Sequence, residues 1–417
     1  MPADVLGWIE ASDPNHVTGP GFVGLGAYRS SAPTEPTILR RALRELVEHH
    51  EILRTVLLPT SDGFRHRPGP PGEVPLHVLD VSAPAGRDLE PELLAGVARA
   101  PDAPLRAVLG RHPAGCTLVL VANHACADHW SMELLVRDLA AIVDGLTHDR
   151  PVRLEVHPFA AAAGDAYHRP ATRVELAVRH WRDLLRELPP LVPPVAAPGP
   201  MDAESRFVLP VDRTALAAAA RTARTTPFVC LLTAYAMALS ATAGVDEVAV
   251  PLFTSGRERP DWESVGPFMN LVAIRVRIGG LAAPEALSRV HDAFVRALAC
   301  EQTLARVLPH VPEIGALCRP DGVPAAGFEL VQFPPPVPYP ASMPLDRLPI
   351  GPRYGATVLP LSALLCWLQA DGVDDYVGTI RYRSGLVDAG WVADLVRSFA
   401  RSVSDVTSPR RHLVGPA

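Results

Sequence analysis

Apolar positions along the chain recur with two periods, one typical of helices and the other of strands. Residues 38–58 begin with apolar side chains at helical spacing and end in a short extended segment at 53–58. The helical positions are Leu39, Ala42, Leu43, Leu46 and Val47. The continuous apolar run 118–122 is typical of a strand buried on both faces. Helical spacing then returns, with Ser131 as the predicted N-cap, at Met132, Leu135, Val136, Leu139 and Val143.

The second half of the chain carries the same two patterns. Thr226 and Pro227 are typical of a helix start and Gly244 of a helix end, so a helix followed by a strand is predicted there. Residues 363–384 predict a hairpin of two strands, and residues 391–403 predict a closing helix. Helices and strands mix in both halves, which predicts an α/β fold of two-layer α+β lobes.

A length of 417 residues is too great for one ordinary core, so two domains are expected. The proline-rich stretch 187–200 is predicted to separate them, because proline disfavours both helix and interior strand. We therefore predict an N-terminal lobe over residues 1–186 and a C-terminal lobe over residues 201–417. A second proline-rich stretch, 333–352, is predicted to run over the surface.

Composition argues against several classes of protein. The net charge is −6, and all 39 basic side chains are arginine, without the basic excess typical of a nucleic-acid-binding protein. The six cysteines form no CxxC pair, which favours reduced thiols over a disulfide framework. Residues 1–13 lack the pattern of a signal peptide, and no uncharged apolar run has transmembrane length. We therefore expect a cytoplasmic protein that binds neither membrane nor nucleic acid.

The segment 117–139, TLVLVANHACADHWSMELLVRDL, gathers two histidines and an aspartate at the bend between a predicted strand and helix. An imidazole titrates near neutral pH, and a carboxylate four residues after His124 could orient it or fix the loop through an arginine. The same residues could bind a metal ion, although no second cluster of ligands supports that alternative. A serine triad lacks its GxSxG motif. Cys126 is more typical of a small buried residue than of a nucleophile.

Several motifs, in this order, resemble the condensation domains of nonribosomal peptide synthetases, within the chloramphenicol-acetyltransferase-like superfamily. NHACADH at 123–129 resembles HHxxxDG, HHEILRTVL at 49–57 resembles RHExLRTxF, and VGPFMNLVAIRV at 265–276 resembles VGxFVNTLPLRV. APLRAVL, RHWRDLLRELPPLVPP and TSGRERPDWES extend the resemblance over most of the chain. It implies two chloramphenicol-acetyltransferase-like lobes that form a V-shaped pseudo-dimer around a central tunnel.

The resemblance implies roles for individual residues. His124 matches the histidine on which the family relies for chemistry, and Asp128 matches the aspartate that shapes the site through a salt bridge. Arg275 is the expected arginine partner of Asp128. The histidine pair at 49–50 belongs to a structural motif instead, where the second histidine packs or caps a helix end. The residues expected to line the substrate tunnel are His129, Trp130, Gly266 and Asn270.

Two positions depart from the family's central motif. Asn123 replaces the first histidine, at a position that usually supports the site. His129 replaces the glycine, which lets backbone and substrate approach closely. A histidine there either adjusts substrate choice or marks lost activity.

The resemblance implies an acyltransferase of natural-product biosynthesis that joins a carrier-protein-bound acyl thioester to a small amine or alcohol acceptor. His124 would accept or position the proton of the attacking group. The phosphopantetheine arm arrives with the carrier protein, so no tightly bound cofactor and no metal are expected. No GGxS carrier motif is present, which predicts a free-standing enzyme. Two alternatives remain open: a catalytically silent scaffold that recruits a partner enzyme, and an acyltransferase that uses coenzyme A.

Overall fold

In the computed structural model, helices pack against two separate β-sheets, which confirms the predicted α/β class. The structure describes residues 23–60, 63–82, 89–99, 103–161, 171–188, 203–317, 323–348, 363–370 and 375–408. Residues 1–13, most of the predicted proline-rich crossing (189–200) and the end of the second proline-rich stretch (349–352) lie outside the described residues. The division into lobes at that crossing therefore stays a prediction.

The first sheet has five strands in the order β11-β1-β6-β5-β4, with β6 at its centre. These strands are β1 (Val23–Ser30), β4 (Leu76–Asp80), β5 (Leu105–His112), β6 (Gly115–Asn123) and β11 (Leu345–Arg347). Its helices are α1 (Pro36–His49), α2 (Pro91–Arg99) and α3 (His129–Thr147). A separate hairpin joins β2 (Thr55–Thr60) to β3 (Gly63–Pro68).

The second sheet has six strands in the order β7-β13-β12-β10-β8-β9. They are β7 (Ala203–Leu209), β8 (Glu247–Thr254), β9 (Asn270–Arg277), β10 (Ala326–Leu330), β12 (Leu364–Ala370) and β13 (Tyr376–Tyr382). The helices around it are α4 (Ala171–Leu185), α5 (Arg213–Thr222), α6 (Pro227–Ala243), α7 (Ala283–Ala299), α8 (Leu304–Val307) and α9 (Ala389–Thr407). No single helix in the described part is long and apolar enough to span a membrane, but α5 and α6 pass that test as a bent pair, by length and composition alone.

The hydrophobic pattern predicted the main elements correctly. All five apolar positions of α1 and those of α3 are buried, and β6 is buried along its length up to Asn123. The hairpin of β12 and β13 and the closing helix α9 are confirmed. In α6, the Thr226 side chain accepts a hydrogen bond from the Val229 N–H, and Gly244 ends the helix with φ of 67°. Such a left-handed residue is the usual glycine C-cap.

Two local predictions were wrong. Residues 53 and 54 are not extended, because the chain makes a 3-10 turn over Glu51–Arg54 that buries Ile52 and Leu53 before β2 begins at Thr55. The second proline-rich stretch is exposed at residues 335–338, as predicted, but it does not stay on the surface. It contains β11, which pairs with β1 so that Arg347 lies opposite Tyr28.

Two elements pack with the sheet of the other half of the chain. Helix α4 precedes the predicted boundary, yet its Ala177 and Trp181 pack with Phe253 and Leu271 of the second sheet. Strand β11 follows the boundary, yet it extends the first sheet. The predicted halves are therefore tied together by α4 and by β11.

Candidate active site

Asn123 builds the loop that carries the two histidines. Its backbone carbonyl accepts hydrogen bonds from the N–H groups of Cys126 (2.8 Å) and Ala127 (3.2 Å). Its side-chain oxygen accepts another from the Ala125 N–H at 2.8 Å. The short side chain of asparagine is well suited to accept a hydrogen bond from the backbone N–H group two residues later in the chain. A histidine at this position could not make that bond in the same way. The departure from the family motif thus leaves a firmly held loop.

His124 lies in this loop with only 6% of its surface exposed. Burial lowers the pKa of its imidazole below the ordinary 6.5, while a hydrogen bond to its own backbone and the nearby charge of Asp128 act in the opposite direction. The ring is therefore neutral at pH 7. When one ring nitrogen carries the proton of the neutral imidazole, the lone pair of the other is its basic site.

Asp128 is fixed by a buried salt bridge with Arg257. The Arg257 Nη2 donates to Oδ1 of Asp128 at 2.9 Å and to Oδ2 at 3.2 Å. The Arg257 side chain is 0% exposed and that of Asp128 is 4% exposed. Burial opposes ionisation of Asp128, but Arg257 and hydrogen bonds from Ser131 together hold the pKa of the carboxyl below its usual value. Asp128 is therefore a permanent anion that positions the loop rather than a group that exchanges protons.

The predicted salt bridge between Asp128 and Arg275 is wrong. Arg275 instead donates to Glu247 on the neighbouring strand, at 2.9 Å, and to backbone carbonyls that include that of Arg186, just after α4. Arg275 cannot reach Asp128 because of its place in β9. Five residues of strand, or roughly 17 Å, separate it from the end of β9 that lies at the site. Arg257 follows β8 at that end, and the GRERP segment that contains it was recognised without this role.

The predicted N-cap Ser131 is also wrong. Helix α3 begins at His129, and the Asp128 carboxylate caps it by accepting from the Ser131 N–H at 2.8 Å. The Ser131 hydroxyl is used elsewhere: it donates to the Gly266 carbonyl at 2.9 Å and lies 2.8 Å from Arg257 Nη2. Ser131 thus joins α3 to the loop before β9.

Gly266 and Asn270, which were expected to line the substrate tunnel, are not among the described residues that line the cleft between the two sheets. A Cβ at Gly266 would lie 2.2 Å from the Phe159 ring, so glycine is required there by close packing. The Asn270 side chain is buried and donates to the Glu301 carboxylate and the Gln302 carbonyl, both at 3.0 Å. These contacts correct the expectation that Gly266 and Asn270 face the substrate.

A cleft opens between the two sheets. The side nearer the first sheet is formed by Asp128, His129 and Trp130. The second sheet contributes Phe253, Thr254, Ser255, Met269, Glu329, Leu330 and Gln332. Trp130 is held by a hydrogen bond to the Trp262 carbonyl at 2.9 Å. The structure therefore places His129 and Trp130 against the cleft, as expected for tunnel residues.

His129 contacts both His124 and the second sheet. Its ring centroid is 6.4 Å from that of His124 and 6.2 Å from that of Trp367. Its Nδ1 is 3.9 Å from Oε1 of Glu329, a residue that no sequence motif indicated. Burial, reinforced by His124, lowers the pKa of His129 to about 4, and burial raises the pKa of Glu329 to about 7. Both histidines are thus neutral at pH 7.

Within the described residues, no three His, Cys, Asp or Glu side chains lie close enough to hold a metal ion. Burial raises the pKa of the Cys126 thiol to about 12, so it is not a thiolate nucleophile at neutral pH.

His129 should make the stability of the protein sensitive to acid. Its pKa is 6.5 when unfolded and about 4 when folded, so between these values the unfolded chain binds more protons. As the pH falls from 6.5 to 4, we expect the free energy of unfolding of the native protein to decrease by about 3 kcal/mol more than that of His129→Gln. Urea denaturation across this pH range measures the difference. Parallel stability curves would contradict a buried neutral His129.

Gly256 is expected to be essential for the placement of Arg257. Its φ is 61°, and a Cβ there would lie 1.8 Å from the Phe268 carbonyl oxygen. We expect Gly256→Ala to cost at least about 2 kcal/mol of stability, because the loop must move. The control is Gly244→Ala, which has φ of 67° but open space around its Cβ and should cost about 1 kcal/mol. Equal losses in thermal or urea denaturation would show that the close approach is unimportant.

Known proteins with related sequences and structures were compared with the chain. The family model of the Condensation domain matches residues 27–303. Phosphinothricin tripeptide synthetase PhsC of Streptomyces viridochromogenes is 29% identical over 302 residues, which are 65% of this chain and 27% of that protein. Chondramide synthase cmdD of Chondromyces crocatus is 30% identical over 265 residues, which are 58% of this chain and 7% of that protein. The chain thus spans about a quarter or less of the length of these relatives.

Solved structures resemble the whole fold. The SgcC5 protein of Streptomyces globisporus, crystallised with (R)-(-)-1-(2-naphthyl)-1,2-ethanediol and sucrose, has a TM-score of 0.77 and 25% identity. The match covers 94% of this chain and 95% of that one. The first condensation domain of the calcium-dependent antibiotic synthetase has a TM-score of 0.76 and 19% identity, with 98% of this chain and 95% of that one covered. That second likeness supports the fold alone.

Proposed function

The chain belongs to the condensation-domain family, and on this premise we propose that it transfers an acyl group from a carrier-protein thioester to a small amine or alcohol. The phosphopantetheine arm that carries the thioester would come with the carrier protein. The observation that carries the proposal is a buried neutral histidine, His124, held beside the Asp128–Arg257 salt bridge at the junction of the two sheets.

His124 supplies the proton transfers in this proposal. The acceptor nitrogen or oxygen attacks the thioester carbonyl, a C–N or C–O bond forms, and the His124 lone pair takes the proton of the attacking atom. Collapse of the tetrahedral intermediate breaks the C–S bond, and the protonated imidazole returns the proton to the thiolate. The depressed pKa of His124 suits this step, because the ring starts as a free base and releases the proton readily.

The relatives support both kinds of acceptor. Amide-bond formation is the reaction of the condensation domains to which this chain belongs, whereas the SgcC5 protein was crystallised with a 1,2-diol. Alcohols should therefore be tested as acceptors together with amines.

A silent scaffold is the second candidate function. The observation that favours it is the His129 ring, which stands at the position of the family's glycine and packs edge-on to His124. In that proposal the cleft is too narrow for a thioester, and the protein recruits a partner enzyme through its surface.

The test is an acyl-transfer assay on the full chain. The same acyl group is presented on a carrier protein and on coenzyme A, each with a panel of amines and alcohols, and products are measured by mass spectrometry. We expect product from the carrier-bound thioester. Product from acyl-coenzyme A at an equal or higher rate would favour a carrier-independent enzyme, and no product from either donor would favour the scaffold.

A further inference from the structure

Glu329 is a buried carboxyl group in the cleft without a partner in the described part of the chain. It lies near the end of the internal strand β10, with 8% of its surface exposed. No described residue donates a hydrogen bond to it, and among the described basic groups His129 lies within ion-pair distance, with its Nδ1 3.9 Å away. Burial alone accounts for its raised pKa of about 7. A carboxyl group in such a place is costly unless water or a ligand compensates it.

Among the described ionisable groups that line the cleft, Glu329 is the one whose charge is not neutralised by a neighbouring group. Three described residues that line the cleft can ionise: Asp128, His129 and Glu329. The salt bridge with Arg257 neutralises Asp128. His129 is neutral at pH 7, and the nearby charge of Arg347 opposes its protonation further. An ionised Glu329 thus gives the described lining of the cleft a net negative charge, which a cationic ligand would balance.

We propose that Glu329 binds the ammonium group of the acceptor, so that the cleft selects a primary alkyl amine over an alcohol of the same shape. The proposal rests on the proposed acyl transfer and names the acceptor class. Phe253, Met269 and Leu330 offer apolar contacts to the alkyl part. A carboxylate with little competing water attracts an ammonium far more strongly than a hydroxyl group.

Glu329 would also prepare the amine for reaction. An alkyl amine is protonated at neutral pH, and an ammonium has no lone pair with which to attack a thioester. Transfer of one proton from R–NH₃⁺ to the Glu329 carboxylate leaves R–NH₂ and a neutral acid, and the pKa of about 7 makes this acid accessible. The amine then attacks, its second proton passes through His124 to the departing thiolate, and Glu329 releases its own proton to solvent. The sum is R–NH₃⁺ plus thioester to amide, thiol and H⁺.

The experiment compares the binding of hexylammonium chloride with that of 1-hexanol by isothermal titration calorimetry at pH 8. The proteins are the native chain, Glu329→Gln and the control Glu175→Gln, which removes the same charge from an exposed position on α4. We expect the native chain and the control to bind the ammonium about 10- to 100-fold more tightly than the alcohol. Glu329→Gln keeps the size of the side chain and should remove most of this preference. The preference should also fall in the native chain at pH 6, where Glu329 is protonated.

The binding measurement separates this inference from the proposed function. An amine preference that survives in Glu329→Gln, equal binding of the two probes by the native chain, or no binding of the ammonium would each overturn the role of Glu329. Loss of the preference in Glu329→Gln, together with no acyl transfer by the native chain, would refute the proposed function while leaving the cation site established. In the acyl-transfer assay, Glu329→Gln should lower the ratio of amide to ester products.

Discussion

Replacing His124 with glutamine is expected to lower acyl transfer by about 10²- to 10⁴-fold while the protein stays folded. Glutamine keeps a polar side chain of similar reach, but it has no lone pair basic enough to accept a proton at neutral pH. The measurement is the single-turnover rate with a carrier-bound thioester, together with thermal denaturation of the same preparation. Product formation at the native rate would rule out His124 as the base.

The pH dependence provides a second readout for His124. Because burial lowers its pKa below 6.5, the neutral base predominates at pH 7, and the native rate should decline only as the pH falls below 6.5 toward the depressed pKa. That acidic decline should be absent from the residual rate of His124→Gln. The matched control, His148→Gln, removes a half-exposed histidine at the end of α3 and should keep both the rate and the decline.

Breaking the Asp128–Arg257 salt bridge should cost more stability than breaking any exposed ion pair of the protein. Arg257→Met leaves a buried carboxylate without its counter-ion, which typically costs about 3–5 kcal/mol. It also removes donors from the carbonyls of Asp261 and Ser264, at 2.8 Å and 2.6 Å. The free energy of unfolding in urea measures the loss. Acyl transfer should fall too, because the loop that holds His124 is no longer fixed.

The arginine first expected to pair with Asp128 is the natural control. Arg275 and Glu247 have side chains 23% and 26% exposed, so Arg275→Met should cost about 1 kcal/mol or less. A double-mutant cycle with Asp128→Asn should give a large coupling energy for Arg257 and none for Arg275. Equal losses from the two arginine variants would contradict the assignment of Arg257.

Acid should weaken this salt bridge in a defined direction. The folded pKa of Asp128 is depressed, so its contribution to stability is present above the unfolded pKa of about 3.9 and is lost as the pH falls through the folded value. The difference in stability between the native chain and Asp128→Asn should therefore shrink below about pH 4.

Local signals along the chain predicted those parts of the fold that depend on near neighbours. The ends of α6 follow from Thr226, Pro227 and Gly244, because capping residues act within one turn of backbone. The amphipathic pattern of α1 followed from side chains three and four residues apart. Ser131 was misassigned as a cap because Asp128 and Ser131 are both good capping residues. The structure distinguishes them, because the Asp128 carboxylate accepts from the Ser131 N–H and the Ser131 hydroxyl instead bonds Gly266, 135 residues away.

Contacts between distant parts of the chain could not be predicted in this way. Arg257 follows one strand and Arg275 lies in the next, and each strand has one end near the site. Sequence spacing therefore cannot show which guanidinium group reaches Asp128. Glu329 lies in an apolar run of the sequence that matches no motif. Its proposed role depends on the absence of a charged neighbour among the described residues. That property belongs to the whole cleft, since it requires His129 to be neutral and Arg257 to be already paired.

By itself the sequence determined the α/β class, the positions of most helices and strands, and the motif that places His124 in a bend after a buried strand. Periodicity, caps and motif spacing are local properties, so they can be recognised from the residues alone. The tertiary structure decided which arginine binds Asp128, which motif residues reach the cleft, and that Glu329 lies there uncompensated. Those outcomes depend on burial and on charges brought together from residues more than 100 positions apart, and neither is encoded at any single place in the chain.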